Sequence, residues 1–202
     1  MPQFKLFVRS LSTSLRRARR PILVVALTYL VSVVLGILMA HAGNEFALSY
    51  RDEIVGAAQT GFVIKQKDAL GRALADFAGN LTGAMTDSLG GFGVVFPFPL
   101  IAYRGWVGGI VSVDGSHTSR LLDPTSAAYY LSVVVMQLSA YTLAAGAGIH
   151  AGLSLWRNRS LPAEKKWLGM SVESLQDLLK IYTLVIPIFL LASLWEFMSP
   201  WR

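Results

Sequence analysis

Apolar residues in this chain collect into long blocks, and the polar residues fall between them. The longest uncharged run covers residues 125–156, TSAAYYLSVVVMQLSAYTLAAGAGIHAGLSLW. As one helix it would extend about 48 Å, against a bilayer core of about 30 Å, so it predicts a membrane-crossing helix with turns to spare. Shorter apolar blocks at residues 22–40, 94–113 and 178–198 predict further spans. Residues 73–89 form a weaker one, interrupted by polar side chains at helical spacing. The pattern predicts an all-α polytopic transmembrane helical bundle of about five spans, one integral membrane domain over residues 1–202.

The segments between the blocks have patterns of their own. In residues 1–20, Phe4, Phe7, Val8, Leu11 and Leu15 share one helical face, and six basic residues occur with no acid. This predicts an N-terminal amphipathic interfacial helix in the headgroup layer, so membrane lipid is an expected partner. Pro21 suits the first turn of the span that follows. Ala40-His41-Ala42 has the look of a signal-peptide cleavage site, but the basic stretch is too long for one and predicts an uncleaved helix. Residues 43–72 repeat apolar positions at helical spacing among charges. They predict an amphipathic helix on the membrane or the bundle, and the best place for a protein partner. Residues 157–177 are again polar.

Composition supports the membrane reading. Charged residues make up only 15 % of the chain and apolar ones 53 %. A soluble domain carries roughly 25 % charged residues. The net charge of +6 matters for where it sits and not as a nucleic-acid footprint. Eleven of the 18 basic residues lie in residues 1–20 and 157–180, which five spans place on one side. The positive-inside rule makes that side cytoplasmic, with the N terminus inside. With no cysteine there are no disulfides or thiolate metal sites.

Two groups of residues stand out. Asp76, Asn80, Gly83 and Asp87 recur on one helical face, which cannot point at lipid without a cost of several kcal/mol. Arg104 lies mid-span in the next block, and Asp87 or Asp76 is its natural counter-charge. Gln137, Tyr141 and Glu196 complete the intramembrane polar set. Asp76 and Asp87 read either as an acid pair for chemistry or proton movement, or as charges that satisfy Arg104; buried charges serve structure more often than chemistry. The second group is Ala140, Ala144, Gly148 and Gly152, four apart on one face, where small residues allow close helix approach in lipid. Their expected partner is another span, most simply the last, or the same helix in a second copy as a homodimer. His41, His117 and His150 have no metal-binding spacing, no phosphate loop or serine elbow occurs, and no metal or cofactor is expected. Asn80-Leu-Thr82 and Asn158-Arg-Ser160 match the glycosylation pattern by chance, being read as intramembrane and cytoplasmic.

Several motifs together resemble the stage II sporulation protein M family. Phe77-Ala-Gly-Asn80 is similar to its Phe-x-Asn-Asn, and Tyr103-Arg104-Gly105 with Gly108-Gly109 to its Asn-Gly-x-x-x-Gly. Residues 144–152, AAGAGIHAG, resemble its small-residue segment, and residues 194–200, LWEFMSP, its terminal Glu-x-x-hydrophobic-Ser/Thr-Pro. The family usually carries Pro-His-Gly-x-x-Glu before the small-residue segment; here Ser132, Val133 and Val134 fill the first three places and Gln137 replaces the glutamate. The resemblance implies an integral protein of the bacterial or archaeal cytoplasmic membrane without an established catalytic site. It favours a non-enzymatic scaffold or accessory subunit that anchors partner proteins. A transporter or channel component with a polar midplane site is the alternative, favoured by the glycine- and proline-broken stretch at residues 90–99.

Overall fold

A computed structural model describes residues 2–157 and 159–201. Asn158 of the second glycosylation match and the charge of Arg202 lie outside the described residues. Six α-helices make up the fold: α1 (Pro2–His41), α2 (Glu45–Thr60), α3 (Ala69–Gly91), α4 (Pro97–Ile110), α5 (Pro124–Arg157) and α6 (Val172–Met198). A two-stranded hairpin, β1 (Lys166–Trp167) and β2 (Met170–Ser171), joins α5 to α6.

Local chemistry sets these boundaries. Gly43, at φ 69°, ends the first helical run, and Asn44 caps α2 by accepting from the Ala47 N–H at 3.0 Å. Asp68 caps α3 through the Gly71 N–H at 2.6 Å. Asp123 accepts from the Ser126 N–H at 2.7 Å, ahead of Pro124 at the first position of α5. The hairpin turns at Leu168 and Gly169, both with positive φ, as a two-residue turn between antiparallel strands requires.

Three helices, α1, α5 and α6, are long and apolar enough to cross a membrane. The other two expected spans do not reach that standard. At 14 residues α4 is only about 21 Å long, and α3 is long enough but too polar. The N-terminal region also differs from expectation. No break separates a basic surface helix from a span beginning at residue 22; α1 is one helix with Pro21 inside it. Proline removes a single backbone hydrogen bond, and neighbouring helices can offset that loss. Here Ser14 and Arg17 bond to Asp177 of α6, which holds the basic half of α1 on the bundle.

α5 is the central helix, buried at every residue from Ala144 to Gly152. α1 and α4 make the most extensive helix pair. Their contact is a glycine crossing: a Cβ at Gly105 would lie 2.6 Å from the Tyr29 carbonyl oxygen, and one at Gly36 2.9 Å from Gly109 Cα. Polar groups gather at the two ends. One end holds Ser14, Arg17, His150, Arg157 and the hairpin. The other holds α2 and the loop at residues 111–123, joined by Arg51 to the Val113 carbonyl and by His117 to Asp52.

Candidate functional site

The polar face of α3 turns inward and its side chains join into a chain of contacts. Asp76 Oδ2 accepts from Asn80 Nδ2 and from Ser193 Oγ of α6, both at 2.8 Å. Asn80 Oδ1 accepts from the Tyr141 hydroxyl of α5 at 2.8 Å. Arg104 Nη1 of α4 donates to that hydroxyl at 3.3 Å, and its guanidinium sits 4.5 Å from the Tyr141 ring centre. Arg104 Nε lies 3.3 Å from Oδ2 of the fully buried Asp87. Among the described residues neither Asp87 oxygen nor Arg104 Nε has a hydrogen-bond partner, so their contact is charge against charge and not an aligned hydrogen bond. Gly83 makes room for the arginine, since a Cβ there would lie 2.7 Å from Nη2.

Four of the six polar candidates, Asp76, Asn80, Asp87 and Arg104, are thus brought together. Gln137 and Glu196 form a separate contact, Nε2 to Oε2 at 3.2 Å. Both line a cleft of about 620 Å³ that also reaches Asp76 and opens at the α2 end of the bundle. Phe62, Tyr129, Tyr130 and Trp201 supply aromatic walls.

Ala140, Ala144, Gly148 and Gly152 are all buried. The partner of this seam is α3 and not the last helix. Ser88 Oγ donates to the Ala144 carbonyl at 2.9 Å; a Cβ at Gly148 would lie 2.6 Å from Ser88 Cα, and one at Gly152 2.8 Å from Phe92 Cα. Gly146 has its own neighbour, Ile22 of α1, whose Cα a Cβ would meet at 2.6 Å. Small residues therefore serve two interfaces of α5.

A further cluster escaped sequence reasoning. Asp177 accepts from Ser14 Oγ at 2.7 Å and from Arg17 Nε and Nη2 at 2.8 and 2.7 Å; His150 Nε2 lies 3.3 Å away. Glu173 pairs with Arg17 as well. Its one sequence signal was the pair of acids just ahead of the last apolar block. At the other end, hydrogen bonds from Arg51 and then His117 hold the exposed Asp52 carboxyl below its ordinary range. The histidines stand apart, His41 on Ser119, His117 on Asp52 and His150 on Asp177. Among the described residues no group of three His, Cys, Asp or Glu side chains is placed to hold a metal.

The model of the family described as Stage II sporulation protein M matches residues 25–200. The chain belongs to that family. The part matched to Stage II sporulation protein M includes all six polar candidates and the small-residue seam, and omits Ser14 and Arg17 at the basic start of α1. No curated protein and no solved structure matches the sequence.

Proposed function

We propose that this protein is a non-enzymatic membrane scaffold or accessory subunit that organises partner proteins. The observation that carries this reading is how the α3 polar face is used. Its side chains fasten α3 to α5 and α6, through Asp76 to Ser193, Asn80 to Tyr141, and Ser88 to Ala144 and Tyr182. Polar groups that bond across helices hold a bundle in one arrangement. α3 and α4 expose apolar residues such as Leu74, Met85 and Tyr103. This supports five crossings, with the N terminus cytoplasmic by charge and its basic turns in the headgroup layer of a bacterial or archaeal cytoplasmic membrane. The aromatic group of Phe46, Tyr50, Tyr103 and Trp106 on α2 and α4 offers a surface for a partner. Gentle-detergent purification tests the reading. A discrete complex with stoichiometric companions supports it; a lone monomer from native membranes counts against it.

A second reading, a transporter component, is favoured by the cleft reaching Asp76 and through it the Arg104–Asp87 pair. Solute flux into liposomes that is abolished by Asp76→Asn is its test.

A further inference from the structure

The cleft between α2, α3, α5 and α6 has a floor, walls and a charge. Both hydrogen bonds that Asp76 accepts go to Oδ2. Its other oxygen receives none from the described residues and belongs to a side chain that lines the cleft. Among the described residues the lining carries two carboxylates, Asp76 and Glu196, and one cation, Arg120, whose Nε donates to the Val113 carbonyl at 3.2 Å. Two of the aromatic walls are fixed in advance. The Tyr130 hydroxyl donates to the Gly108 carbonyl at 2.8 Å and the Tyr129 hydroxyl to the Glu196 carbonyl at 2.7 Å. Aromatic faces beside a carboxylate attract organic cations, and rings held before binding lose little freedom on contact.

From this arrangement we propose that the cleft binds an ammonium group carried on an apolar chain. The ammonium would meet the unused oxygen of Asp76, and the chain would lie along Phe62, Val133 and Trp201. An inorganic cation fits less well. Hard cations take six or more oxygen ligands, and most of this lining is apolar. A volume of about 620 Å³ matches a small organic molecule, within the roughly 300–1,000 Å³ of ligand clefts. The same chemistry is found in the head of an aminolipid and in a soluble amine. This inference stands apart from the scaffold reading, since a scaffold can have a ligand or lack one.

The test is calorimetric titration of the full chain in maltoside detergent with dodecylammonium, and with dodecanol as the uncharged comparison. Saturable binding of dodecylammonium alone is expected, weakened at least 10-fold by Asp76→Asn and unchanged by Asp52→Asn outside the cleft. If Asp76→Asn does not fold, Val133→Trp, which fills the cleft, must remove binding instead. Non-saturable uptake, equal uptake of dodecanol, or unchanged affinity in the variant that folds overturns the proposal. Repeating the titration in nanodiscs separates the sources. Competition by phosphatidylethanolamine over phosphatidylcholine assigns the site to a lipid head, and its absence assigns it to a soluble amine.

Discussion

Arg17 and Asp177 meet as two flat forks, Nε on Oδ2 at 2.8 Å and Nη2 on Oδ1 at 2.7 Å. The Asp177 side chain is almost wholly buried, at 1 % exposure, whereas Arg17 keeps 35 %. Bidentate geometry is the strong form of this pair. Removing the buried partner also takes one contact each from Ser14 and His150. Asp177→Ala is expected to cost about 3 kcal/mol and to lower the unfolding midpoint in detergent by about 5–10 °C. Glu173→Ala, at the exposed side of the same arginine, should change it by under about 1 kcal/mol. Equal effects would mean that burial is not what gives the contact its value.

The Arg104–Asp87 pair calls for a double substitution. Arg104→Leu leaves a buried carboxylate without its counter-charge, at a cost of about 3–5 kcal/mol. Adding Asp87→Leu should recover most of that loss. A double variant no more stable than Arg104→Leu would show that Asp87 is not the group the arginine neutralises.

The glycines of α5 give a graded series. Gly148→Ile and Gly146→Ile both push a branched side chain into backbone, of α3 and α1 respectively, and each should cost about 3 kcal/mol or prevent folding. The neutral comparison is Gly79 of α3, where a Cβ meets nothing within 4 Å. Gly79→Ala should gain up to about 1 kcal/mol from helix propensity alone. Thermal melts of the three variants decide it.

Orientation is testable because the chain has no cysteine. Ser116→Cys and Ser160→Cys lie in exposed positions at opposite ends of the bundle. With the N terminus cytoplasmic, an impermeant thiol reagent should label the first in intact cells and reach the second only after lysis. The opposite pattern would invert the topology.

Acid should loosen one end selectively. The Asp52 carboxyl is held below its ordinary value by Arg51 and His117, so its folded pKa lies under its unfolded one. Its contribution is present above the unfolded value of about 4 and is lost as pH falls through the lower folded value. Protection factors for amide exchange in α2, corrected for the intrinsic pH dependence, should therefore stay constant from about pH 7 to 5 and fall only below about pH 4. Loosening that begins near pH 6 would point to a different group.

The sequence shows the helices more clearly than it shows their neighbours. A 3.6-residue period places Asp76, Asn80 and Asp87 on one face, and intramembrane cost turns that face inward. Periodicity does not say which helix waits opposite, so Ser193, Tyr182 and Ser88 went unnoticed as partners; single hydroxyls in apolar blocks look like ordinary tolerated residues. Gly146 reads as a position about 160° from the Gly148 face and hence away from it, yet from Ala144 to Gly152 α5 is surrounded on all sides and has no outward face. The continuity of α1 was hidden by Pro21, whose usual meaning at a helix start was overridden by contacts 160 residues away in sequence. The hairpin is too short to carry a period.

The crossing of α1 on α4 bears on how the protein is made. Gly36 emerges from the ribosome 73 residues before Gly109. At about 5–20 residues per second that is roughly 4–15 s. For that time the first helix carries a glycine notch shaped for a helix not yet synthesised. The α1–α4 crossing can close only after both helices are made, so α4 on docking must displace whatever covers the glycines of α1 until then.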